Sequence, residues 1–161
     1  MSLSTLIAAW NEAHREFAIA FEGMPDEDLW RRPHPRLLSV GEIAGHVAHA
    51  QAVWVFGGGD WKTDLTSLPI KSPLIDASFR YYTVQLEQPV TLELGSEAVL
   101  SEVKRIHEKA MESVATRTME ELHPYWQNWG NLIQYQVFHT AYHTGQIYSA
   151  RHMLGHETED N

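Results

Sequence analysis

His139 and His143 stand four residues apart in the stretch HTAYHTGQI. On a helix, side chains at that spacing lie one above the other on the same face. Residues 122–150 contain no Asp, Glu, Lys or Arg, so the helix that carries the pair is expected to be covered on most sides. On a helical projection, Leu132, Tyr135, Gln136, His139, Tyr142, His143, Gln146, Ala150 and Met153 form one stripe that should face the core. Two imidazoles in that position are either hydrogen-bonded core residues or two ligands of one metal, neutral imidazole being the commonest metal ligand. A third candidate is His46, on a helix that must pack nearby. Three histidines with one position left open is the arrangement of a catalytic rather than a closed structural metal. His49 lies about 120° from the centre of its helix's apolar stripe and is expected to be more exposed than His46.

Competing chemistries fail on the residues themselves. Thr140 follows His139, so the H-E-x-x-H helix of zinc proteases is absent. A di-iron bundle needs two Glu-x-x-His motifs within helices; the one at 120–123 runs straight into Pro124. Gly57-Gly-Gly59 lacks the Lys-Ser/Thr of a phosphate-binding loop and reads as a helix stop. With no cysteine, the chain offers no disulfide, no thiolate ligand and no thiol nucleophile of its own. A formal charge of −9 argues against a nucleic-acid partner. The start MSLSTLIAAWNEAHREF has neither a basic leader region nor an apolar run of spanning length, so the expectation is a cytoplasmic protein with no membrane partner.

The elements that must position these groups read as an all-α, four-helix bundle over 1–161, a single domain with helices near 3–22, 39–56, 96–117 and 130–154 in up-down-down-up or a related order. Ser2 or Ser4 caps the first, whose stripe is Leu3, Leu6, Trp10, Ala13, Phe17 and Ala20/Phe21, with His14 half-buried at its edge. Residues 26–30 allow one short turn, and Arg31-Arg32 reads as solvated surface. Ser39-Val-Gly-Glu42 is a capping box, with Leu38 and Ile43 as its hydrophobic staple. Val40, Ile43, Val47, Ala50 and Trp54 follow as a stripe, His46 about 60° from its centre. Ser96 caps the third helix, with Val99, Val103, Ile106, Ala110 and Val114 inward. Asn131 and Gln134 read as a capping box for the last helix, after a turn at 119–126, and Gly155 as its left-handed stop. Residues 60–94, broken by Pro69, Pro73 and Pro89, read either as a small hairpin (79–86 with 90–94) or as an irregular lid between the second and third helices.

The pairing of SVGEIAGHVAHAQAVW with HTAYHTGQI resembles the DinB-like superfamily of four-helix bundles, the damage-inducible metal-binding proteins, which are distinct from the DNA polymerase sharing that name. LWRRPHPRLLSVGEIAGH is similar to the family's approach to its second helix, and H-x-x-x-H followed by Gly-Gln-Ile resembles its last. The likeness covers both blocks and the helix order, and does not extend to 60–94. It implies a divalent metal (Zn, Ni, Fe or Mn) on His46, His139 and His143, with His49 the runner-up for the first. Some members of the family transfer low-molecular-weight thiols such as bacillithiol or mycothiol, or isomerise maleylpyruvate with a thiol cofactor. The resulting expectation is a metal-dependent thiol S-transferase acting on a small-molecule substrate. In it Gln146 orients a ligand or bound water and Tyr142 donates a hydrogen bond to substrate. The alternative is a non-catalytic or stress-related protein in which the three-histidine site is structural or sensing. A homodimer is also expected, because Ile133, Val137, Ala141 and Tyr148 lie on the back of the last helix, opposite the histidines, where one core can hardly cover both sides.

Overall fold

Ser2 begins the first helix: its hydroxyl accepts from the Thr5 amide, and α1 (Leu3–Phe21) buries Leu6, Trp10, Ala13, Phe17, Ala20 and Phe21. The computed structural model describes residues 2–59, 62–80 and 88–158. A one-turn α2 (Asp26–Leu29) follows, then α3 (Val40–Phe56), α4 (Ser96–Val114) and α5 (Trp129–Leu154). The capping box of α3 forms as expected, with Ser39 and Glu42 satisfying each other's amides. Two other caps differ from expectation. The residue before α4 is Gly95, and the Ser96 amide donates to Asp26 at 2.7 Å, so a carboxylate 70 residues away does the capping. The cap of α5 is Asn128, whose side chain accepts from the Asn131 amide at 2.8 Å, three residues earlier than the pattern suggested. Gly155 stops α5 at φ 90°.

Specific contacts set the helix directions. Arg151 near the end of α5 donates to the Ala20 carbonyl near the end of α1, so α1 and α5 run parallel. Trp54 lies against Tyr135 and His46 against His143, which makes α3 antiparallel to α5. The Trp30 indole donates to the Leu94 carbonyl at 2.9 Å and packs on Gly41, where a methyl group would meet the ring at 2.6 Å. That joins the starts of α3 and α4 and makes them parallel. The order is up-down-down-up. A parallel pair cannot be joined by a tight turn, so residues 57–95 must climb back along α3, about 25 Å for its 17 residues.

The climb is irregular. Two 3₁₀ turns, Leu65–Ser67 and Ala77–Phe79, are each capped by an aspartate, Asp64 and Asp76. Residues 90–94 form no strand, and residues 81–86 of the expected hairpin partner lie outside the described residues. Between α4 and α5 there is a small unforeseen hairpin, β1 (Leu122–His123) against β2 (Gln127–Asn128). Its loop of Pro124, Tyr125 and Trp126 is followed by Gln127, the first residue of β2, in the left-handed region at φ 66°.

All of α3 is buried except Trp54 and Phe56, so it has no solvent face. This corrects the amphipathic reading and places His49 in the interior at 2% exposure. Crowding is relieved by Ala44, Ala48, Ala50, Ala52, Gly41 and Gly45. Arg32 is also not solvated: it forms a buried ion pair with Glu42, donating from Nε at 2.8 Å, while the Ser39 and Val90 amides donate to the same carboxylate at 2.8 and 2.9 Å. His14 is buried rather than half-exposed. It donates from Nε2 to Gln51 Oε1 at 2.8 Å and stacks on His107 at 3.6 Å between centroids, and His107 in turn reaches Asn11 at 2.8 Å. On α5, Ile133 is fully buried, and Val137 and Tyr148 are half-buried against the core, so α1 covers most of the back that was expected to need a partner. The uncharged exposed strip runs instead through Gln134, Phe138, Ala141, Tyr142, Gly145 and Ser149.

Two consequences are measurable. Replacing Arg32 by Met leaves Glu42 buried without its cation, and urea unfolding should show a loss of about 3–5 kcal/mol; a change below about 1 kcal/mol would mean that the carboxylate is solvated or protonated at little cost. Burial pushes His14 well below the ordinary value of 6.5, with His107 adding to the shift, and pushes His107 and His49 to about 4. The unfolded chain therefore binds more protons than the folded one between pH 6.5 and about 4. Stability should be constant above pH 7 and fall with acidification through that window, by up to about 1.4 kcal/mol per pH unit for each such histidine. Melting temperatures flat from pH 7 to 5 would contradict it.

Candidate metal centre

α5 puts His139 and His143 on one face, and antiparallel α3 delivers His46 opposite them. His139 Nε2 lies 3.2 Å from His46 Nε2 and 3.1 Å from His143 Nε2. The three ligand atoms fall within 4.8 Å of one another, and the residues are 4–8% exposed. His49, one turn of α3 away, does not join them; its Nε2 accepts from Arg80 Nε at 3.3 Å. The structure brings His46 to the α5 pair and not His49, yet both are buried, so exposure is not what separates them.

The remaining nitrogens decide the tautomers. His46 donates from Nδ1 to the Phe79 carbonyl at 2.9 Å, and His143 from Nδ1 to Gln146 Oε1 at 2.7 Å. Each neutral ring has one proton, so neither Nε2 carries one. His139 has one proton for two Nε2 contacts, and its Nδ1 is buried with no partner among the described residues. At least one of the two contacts therefore has no proton directed along it. A further proton is not available cheaply. Burial, then the neighbouring His143 and His46, holds His139 at about 2. Burial and then His46 hold His143 at about 4, and burial lowers His46. A cation at the convergence point resolves the conflict. Ligand nitrogens about 2.1 Å from a tetrahedral ion are about 3.4 Å apart, close to the spacing seen. The residues present fit a divalent metal.

The surroundings hold the rings in place. Trp54 and Tyr135 pack on His139 at 5.0 and 5.8 Å between centroids. Tyr142 stands edge-on to His143 at 5.1 Å, is 53% exposed, and accepts from Gln146 Nε2 at 3.2 Å. Gln146 therefore tethers His143. Phe79 was missed by sequence reasoning, because a backbone carbonyl has no signature in residue type. The one available signal was Gly45 beside His46: a methyl group there would meet the Phe79 ring at 2.3 Å, so only glycine lets the Ala77–Phe79 turn close onto α3.

Among the described residues no helix is long and apolar enough to cross a membrane. Neither a curated protein nor a solved structure matches the chain. The family profile of the DinB superfamily matches residues 9–147, which take in His46, His139 and His143. A bundle in this order, three histidines converging from α3 and α5, and a match over most of its length together place the chain in the DinB superfamily.

Proposed function

We propose that His46, His139 and His143 hold a divalent metal (Zn, Ni, Fe or Mn), and that the protein is a metal-dependent transferase using a low-molecular-weight thiol. The observation that carries the metal is the proton shortage among three converging Nε2 atoms. A divalent cation there supplies a means of keeping a small thiol as thiolate, the reactive form, in a chain with no cysteine of its own. Phe79 and Gln146 keep His46 and His143 in the tautomer that presents Nε2. Tyr142 accepts from Gln146, and its own hydroxyl proton is left to donate to a small substrate at the exposed rim. The second reading is a structural or sensing site, favoured by the burial of all three rings.

Elemental analysis of tag-free protein tests the ligands: about one divalent ion per chain, lost in His143→Ala. His49→Ala should keep the metal and lose stability instead, since it strips Arg80 of its imidazole partner. Stoichiometric metal in His143→Ala would overturn the assignment. Chelation then separates the two readings: a transferase loses turnover in a screen of small thiols against electrophiles while melting little changed, whereas a structural site loses melting temperature.

A second copy of the chain covers the first part of the uncharged strip of α5, at Gln134, Phe138 and Ala141, where Phe138 is 59% exposed. In a protein of net charge −9, this strip lets two copies approach with least repulsion. Sedimentation should give a dimer at micromolar concentration and a monomer for Phe138→Asp; a monomeric parent protein removes the proposal.

A further inference from the structure

A half-enclosed cavity of about 270 Å³ lies between α5 and the segment leading into α3. Its floor is apolar, with Ile43 and Ala150 buried at 2% and 3%, and Leu38 joins Ile43 there, the two residues of the helix staple. Leu37 and Met153 are exposed at its mouth, at 40% and 56%. Gln146, the tether of His143, forms one wall, so cavity and metal centre share a residue. Arg36 stands at the rim, and its guanidinium has no hydrogen-bond or ion-pair partner among the described residues. Each of the other arginines is engaged: Arg15, Arg31, Arg32, Arg105 and Arg117 with carboxylates, Arg80 with His49, and Arg151 with the Ala20 carbonyl. In a chain with nine more negative than positive formal charges, an arginine left unpaired beside an apolar cavity suits an anion with an apolar body.

We infer that this cavity binds a small monocarboxylate by its aliphatic or aryl body, with the carboxylate on Arg36, next to the histidine centre. A monoanion fits because, among the described residues, a single cation lines the cavity. The other polar groups there are committed, Ser149 to the Gly145 carbonyl, and Gln146 to His143 and Tyr142. The volume holds about nine atoms of water size, which suits a chain or ring of six to eight carbons. As the place where the transferase reading puts its acceptor substrate, the cavity deepens that reading and depends on it. As a carboxylate site it depends on Arg36 alone.

The test is calorimetric titration of the full, tag-free chain with octanoate, both metal-free and zinc-loaded. One site is expected in both forms. Arg36→Gln should weaken it by about tenfold, the scale of one charge-assisted contact at a partly solvated rim. Ser149→Trp, at an exposed position, should close the mouth and abolish binding, and octan-1-ol should bind weakly and equally to the parent and Arg36→Gln. Melting curves of both variants matching the parent keep the comparison free of misfolding. No octanoate binding, or binding unchanged in Arg36→Gln, overturns the proposal. Hexyl phosphate binding more tightly than octanoate overturns the monocarboxylate assignment. His139→Ala separates the two readings: it should lose zinc while leaving the Gln146–His143 bond at the cavity wall in place, and bind octanoate within about twofold of the parent, as changes without shared partners behave additively.

Discussion

A helix with no solvent face must satisfy every polar side chain it carries from inside the protein, and α3 is such a helix. Glu42, His46, His49 and Gln51 are all buried on it. Each is met from a different place: Glu42 by Arg32 and the Val90 amide, His46 by Phe79 and the α5 histidines, His49 by Arg80 at Nε2 alone, and Gln51 by His14 and His107. An unanswered polar group costs about 1–3 kcal/mol, and an unpaired charge more. These four demands therefore hold α1, α4, α5 and the long connection in one register around α3. The histidine centre is one of the four solutions. It differs from the others in that the described groups leave it short of a proton.

The direction of α4 determines what else reaches that centre. Because α3 and α4 run parallel, the chain must return along the bundle, and the return path lies against α3. That path supplies the Phe79 carbonyl, Arg80 and the Val90 amide, each a backbone or side-chain group that closes a demand of α3. A tight antiparallel connection would have left His46 without its Nδ1 acceptor. Gly45 and Gly41 are the price of close approach on two sides of the same helix, one under Phe79 and one under Trp30. The irregular stretch is thus not a cover laid over a finished bundle but part of what makes α3 fit to be its centre.

Charge is distributed to suit. The acidic and basic residues of α1, α4 and the first connection pair on the outside, mostly three or four residues apart, where such contacts are worth little to stability. The α5 surface beside the histidines carries none. Burial, rather than any nearby carboxylate or guanidinium, is the largest cause holding the three imidazoles neutral, and a neutral imidazole is the form that can coordinate.

Local physics was legible in the residues themselves. Ser2, the Ser39–Glu42 box and Gly155 marked helix ends because a cap acts within one turn. The i,i+4 spacing of His139 and His143 put both rings on one face because helical geometry leaves no alternative. The stripes of α1 and α4 named their buried residues for the same reason. Tertiary structure decided the rest. A periodic pattern reports direction about one helix axis and says nothing of how many neighbours surround that helix, so α3 read as two-faced and His49 as exposed. Caps supplied from afar, such as Asp26 on α4, and partners chosen across 10 to 93 residues, such as Arg32 for Glu42 and His46 for His139, have no local signature. The Phe79 carbonyl has none of any kind, since every residue carries that group, and only the path of the chain determines which one meets His46.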